Sequence, residues 1–136
     1  MIQIEQLRKV MNEISAEKGE FILFGLFLRE EMTDKWDLVI AAPWLEAGRL
    51  ERLREFVERM APIVGEDGML TLSRIVTLNQ GDPSLDAILK DAQVENGLVK
   101  LQGSNLFGLP INEAYILQAK QPSESNLGLL DLLARQ

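Results

Sequence analysis

Residues Phe21 to Leu28 (FILFGLFL) contain no charged or polar side chain. After a short polar stretch they are followed by a second apolar run, Trp36 to Ala42 (WDLVIAA). A strand with one wet face alternates apolar and polar residues, whereas an unbroken apolar run is buried on both faces. Eight residues fall far short of the ~20 needed for a membrane-spanning helix. Their aromatic content and the charges that bound them read as a strand, at least as far as Gly25. Two such strands in close succession require a sheet with helices packed on it. The chain is therefore expected to form an α/β or α+β domain with a mixed β-sheet flanked by helices.

The flanking patterns supply those helices. Ile4, Leu7, Val10, Met11 and Ile14 recur at three- and four-residue steps, with stop signals at Lys18 and Gly19. Pro43 breaks the second strand. Leu45 to Met60 then reads as a helix, with Leu45, Leu50, Leu53, Phe56, Val57 and Met60 on its inner face. Pro62 and Gly65 to Gly68 read as a turn region. Leu70 to Leu78 is β-rich, and Ser84 to Val94 is a helix with Leu85, Ile88, Leu89 and Ala92 inward. Asn96-Gly97 is a helix C-cap or a tight turn. Three short strands, 98–101, 106–109 and 113–119, complete a C-terminal β-hairpin region, with turns at Gly103-Ser104-Asn105 and Pro110-Ile111-Asn112. Residues 1–120 thus form one domain. Residues 121–136 are a linker (QPSESN) and a short Leu-rich tail helix with Leu127, Leu130 and Leu133 on one face. A helix of about ten residues is marginal alone and needs a surface. Docking in cis on the sheet and in trans across a dimer are both open.

What is missing from the composition narrows the chemistry. The chain has no cysteine and no histidine, so thiolate nucleophiles, disulfides, Ser-His arrangements and the usual zinc sites are excluded. Carboxylate-held Mg²⁺ is the metal site most consistent with the side chains that remain. The net charge of −7 repels phosphate backbones and anionic bilayers, which argues against nucleic-acid and membrane partners. The N-terminal residues lack the apolar core of a signal peptide. A cytoplasmic location is expected on that ground.

The order of elements around the two apolar runs resembles the nucleotidyltransferase superfamily, especially its minimal bacterial members. A buried strand ends in Phe24-Gly25, and about a dozen residues later a second strand begins with Asp37 followed by Leu-Val-Ile. A helix, a third strand (Arg74 to Leu78) and a Pro-led helix (Pro83 to Leu89) come next, and a further apolar β segment follows Gly97. The resemblance spans roughly residues 5–102. It implies a nucleotidyltransferase-like fold in which a small residue after the glycine admits nucleotide phosphates. Carboxylates on the second and third strands would hold Mg²⁺. This sequence departs from that pattern at each catalytic position. Leu26 follows Gly25, Lys35 stands where the first carboxylate is expected, and Arg74 lies near the third. Only Asp37 remains, and cations in place of two carboxylates repel a metal ion.

Three positions are candidate ligand-binding residues. Gly25 is either a phosphate-approach glycine or a bulge glycine required by close packing. An unpaired carboxylate in an apolar strand is costly, so Asp37 is either a residual ligand-contacting carboxylate, a strand-start residue facing solvent, or half of an ion pair with Lys35 or Arg74. Arg29 is either a solvated charge or a contact for an anion. The expected function is a noncatalytic nucleotidyltransferase-like binding or interaction domain that needs no cofactor. Its partner would be another protein or a second copy, engaged through Leu127, Leu130 and Leu133. The alternatives are a Mg²⁺-dependent nucleotidyltransferase with a rearranged site, and an oligomeric structural or regulatory protein of unrelated α+β fold.

Overall fold

The computed structural model describes residues 3–31, 34–106 and 109–121. It is an α+β domain. Helix α1 (Ile4–Lys18) precedes the antiparallel strands β1 (Leu23–Arg29) and β2 (Trp36–Ala41). Helices α2 (Pro43–Glu46) and α3 (Arg49–Leu70) lead to strand β3 (Leu72–Thr77). Helix α4 (Pro83–Asp91) is followed by β4 (Val99–Leu106) and β5 (Leu109–Ala119). The five strands form one mixed sheet in the order β3-β2-β1-β5-β4. Only β2 and β3 are parallel, and α3 supplies the crossover that a parallel pair needs.

The unbroken apolar run is explained by its position. Strand β1 is central, and alternate side chains feed two separate cores. Phe24, Leu26 and Leu28 face a layer made by α1 and α3, where they meet Leu7, Met11, Phe56 and Met60. Phe21, Phe24, Phe56 and Trp44 pack edge to face there, with ring centroids 5.0 to 6.3 Å apart. Leu23 and Phe27 face the opposite side, together with Val39, Ile116 and the Leu85, Ile88 and Leu89 face of α4. The end of β5 is pinned by the buried Gln118 amide, whose Nε2 donates to the Phe21 carbonyl at 2.6 Å.

Several expectations are corrected. The helix foreseen over Leu45 to Met60 is two helices, α2 and α3, separated at Ala47 and Gly48. Leu50, placed on the inner face, is 72% exposed, because the buried line of α3 runs through Phe56, Met60 and Val64 at four-residue steps. The turn expected from Pro62 and Gly65 to Gly68 is confined to a break at Gly65 between two helical stretches of α3, with Pro62 inside the first and Gly68 inside the second. Gly65 absorbs the break by adopting φ 79°, which an L side chain rarely tolerates, and the chain resumes helical geometry to Leu70. The three short terminal strands are two longer ones, with Gly103 inside β4 rather than in a turn. Pro110 is accommodated near the start of β5, and its carbonyl accepts from the Glu30 N–H at 2.9 Å. The linker beyond Gln121 and the tail positions Leu127, Leu130 and Leu133 lie outside the described residues.

Candidate functional site

Asp37 is the second residue of β2 and sits in register opposite Phe27 of β1 and Arg74 of β3. Residues two apart on a strand share a face, so Arg29 lies on the same side of the sheet as Phe27. Register therefore delivers two cations to one carboxylate. Asp37 Oδ2 accepts from Arg29 Nε at 2.9 Å and from Arg74 Nε at 3.1 Å. The Asp37 side chain is 4% exposed, that of Arg29 16% and that of Arg74 45%, so the pairing is buried on one flank and wet on the other. Arg29 also donates through Nη1 to Glu31 in the turn after β1, and Arg29 Nη2 is 3.5 Å from Ser73 Oγ. Asp37 Oδ1 is buried without a hydrogen-bond partner among the described residues.

The electrostatics follow from this geometry. Burial by itself lowers the pKa of the Arg29 guanidinium. The charges of Asp37 and Glu31 and their hydrogen bonds outweigh that effect and raise it above the ordinary arginine value. Two arginines and two carboxylates leave the cluster without net charge. Two guanidinium groups beside Asp37 already neutralise its charge and repel a divalent cation there. No group of three or more acidic, His or Cys side chains converges on a metal position among the described residues.

The candidate residues separate into two groups. Arg29 and Asp37 meet, and Arg74, foreseen as one of two possible partners, joins them. Lys35, the other possible partner, is exposed. Gly25 belongs to the strand interior. A Cβ built there would lie 3.1 Å from the Tyr115 carbonyl oxygen and 3.3 Å from Ile116 Cα, at the register shift between Phe24 and Gly25. The close approach at Gly25 is thus to the backbone of β5, which is the geometry of a bulge glycine. Glu31, in the polar connection after β1, is bound to Arg29. Its spacing from Arg29 on an irregular turn carried no signal that identified the pair.

Trp36 and Trp44, which bracket β2, act as packing residues. Trp36 is buried against Tyr115, with centroids 5.4 Å apart, and Trp44 Nε1 donates to the Gly19 carbonyl at 3.1 Å. The Asn96-Gly97 turn, with Asn96 at φ 47°, is clamped to α1 by Arg8. That side chain reaches Asn96 Oδ1 at 3.1 Å and the Gly97 carbonyl at 2.9 Å.

No family model matches the chain, and neither the curated proteins nor the solved structures contain a significant match. No helix among the described residues is long and apolar enough to cross a membrane.

Proposed function

We propose that this α+β domain is a noncatalytic binding or interaction module with a nucleotidyltransferase-like frame. One observation carries the reading. Asp37, the single carboxylate left at the position where the resemblance places a metal ligand, is occupied by Arg29 and Arg74. A guanidinium pair in that place replaces the charge a metal ion would supply, so the cluster holds the strands together instead of holding a nucleotide phosphate. The adjacency of β1 and β2 is the arrangement the resemblance requires, and it supports the frame without bearing on activity. The partner in this reading is a protein engaged through the tail positions Leu127, Leu130 and Leu133.

The rival reading, a Mg²⁺-dependent transferase with a rearranged site, has one feature in its favour, the unpartnered Asp37 Oδ1. Thermal unfolding across a panel of nucleotides, with and without Mg²⁺, separates the two. A ligand at 100 times its dissociation constant stabilises a fold by about 2.7 kcal/mol, a rise of roughly 9 °C for a domain of this size. The binding-module reading expects a flat panel for the unmodified chain and for Asp37→Asn alike. A Mg²⁺-dependent rise that Asp37→Asn abolishes refutes it.

A further inference from the structure

The two faces of the sheet are covered unequally. α1 and α3, of 15 and 22 residues, pack on one face, whereas α4, of nine residues, is the only helix on the other among the described residues. Both ends of α4 are tied to the same end of the sheet. Leu78, before it, donates its N–H to the Ile40 carbonyl, and Val94, after it, donates to the Ala119 carbonyl, each at 3.0 Å. α4 therefore crosses the strands at the end where Leu23 pairs with Ala41 and Ala119. A helix with its side chains is about 10–12 Å wide, so it covers about two residues of strand on either side of its axis. Farther along the same face, Phe27, Ala114 and Leu101 stand in register across β1, β5 and β4, with Ile111 beyond them on β5. Phe27 is about 14 Å along β1 from Leu23, outside the width of α4. Even so, Phe27, Ala114 and Ile111 are each at most 3% exposed. A buried apolar row needs a covering layer, and α4 does not extend to it.

We propose that the Leu-rich segment 127–136 of this same chain is that layer, seated in cis with Leu127, Leu130 and Leu133 against the row of Phe27, Ala114 and Leu101. Reach and spacing select this occupant. Gln121, the last described residue, shares clefts with Leu85 and Leu89 of α4, so the chain leaves on this face. Residues 122–126 span up to about 17 Å when extended. Ala114 lies the same distance, about 17 Å, along β5 from Ala119. Leucines three apart on a helix are separated by about 4.5 Å along its axis, close to the spacing of about 4.8 Å between neighbouring strands, so three leucines match three strands. A tether this short holds the segment at its own sheet at a far higher effective concentration than a second copy supplies, which favours cis over trans. In the partner-binding reading, on which this last step alone rests, a protein that engages Leu127, Leu130 and Leu133 must first lift them from the sheet. The seat thus holds the binding surface closed.

The seat is tested on the full chain without a partner, so its failure and the failure of the partner-binding reading are separate results. The chain has no cysteine, and introduced thiols are the only ones present. Under mild oxidation, Leu101→Cys combined with Leu130→Cys is expected to close an intramolecular disulfide at least tenfold faster than Arg54→Cys combined with Leu130→Cys, because Arg54 is exposed on α3, across the sheet. Leu130→Asp alone is expected to lower the urea midpoint of the full chain by about 1 M, equally at ~1 and ~100 µM protein. Equal closure rates for the two thiol pairs overturn the proposal. So does an unchanged midpoint for Leu130→Asp, or a loss seen only at the higher concentration, which would put the tail on a second copy. Leu130→Asp leaves the sheet unaltered and stays decisive if Leu101→Cys fails to fold.

Discussion

The asymmetric burial of the Arg29–Asp37–Arg74 cluster predicts unequal costs for removing its two cations. Arg29 is 16% exposed and Arg74 45%, yet each donates one short hydrogen bond to the same oxygen of Asp37. Arg29→Met strips the buried partner and leaves Asp37 with a single half-solvated cation. Removing one member of a buried pair costs about 3–5 kcal/mol, and the surviving Arg74 contact places this case at the low end, near 3. Arg74→Met removes a contact on the wet flank, where water takes over part of its role, and about 1 kcal/mol is expected. Urea unfolding reads both. At a slope of about 1.5 kcal/mol per molar, the midpoint falls by about 2 M for Arg29→Met and by less than 1 M for Arg74→Met, with the slope unchanged. Adding Asp37→Leu to Arg29→Met should recover part of the loss, since the double variant no longer buries an unpaired charge. Equal losses from the two arginine variants, or losses below about 0.5 kcal/mol from both, would refute the assignment of Asp37 to a buried, cation-compensated position.

Two further outcomes follow from the same architecture. Gly25→Ala places a methyl group against the backbone of Tyr115 and Ile116, which cannot rotate away, so chemical denaturation should show a loss of about 1–3 kcal/mol; an unchanged midpoint would mean that β1 and β5 are not packed at this distance. Lys120 bridges Glu20 and Glu95, and the hydrogen bond to Glu95, followed by that to Glu20, raises its pKa above the ordinary 10.5 against the opposing effect of burial. A raised folded-state pKa gives stability that is complete below the unfolded value and is lost as pH climbs through the folded one. The stability of the unmodified chain measured from pH 9 to 12 should therefore fall more steeply than that of Lys120→Met, and parallel curves would rule the bridge out.

The parts of the fold that sequence reveals are those where one physical requirement acts alone. β1 and β2 are legible because burial on both faces removes polar residues from them. α1 and α4 are legible because a single apolar stripe sets each helix. The misread segments are those where a local signal competes with packing. Pro62 and Gly65 mark a turn by local preference, yet the break is limited to Gly65 and the helix resumes at once against the sheet. Gly103 and Pro110 also read as turn residues, but the hairpin partner keeps each within a strand. At the site, Asp37 stood out as a charge within an apolar strand, and Arg29 and Arg74 were both in view. The choice of Arg74 over Lys35 depends on the register of β2 against β3, two strands joined through α3 and shifted between Trp36 and Asp37. A register set across a crossover is a tertiary property that no short stretch of sequence encodes.

The central position of β1 has a consequence for the order of events during synthesis. β1 pairs with β2 almost at once, whereas its other neighbour, β5, begins about 80 residues later. At ribosomal rates of roughly 5–20 residues per second, the β5 side of β1 stays open for about 4–16 s. During that interval the most apolar strand of the protein presents an unpaired backbone edge. A nascent chain released or stalled before Leu109 therefore carries its stickiest surface uncovered, and it is the natural client of a holding chaperone.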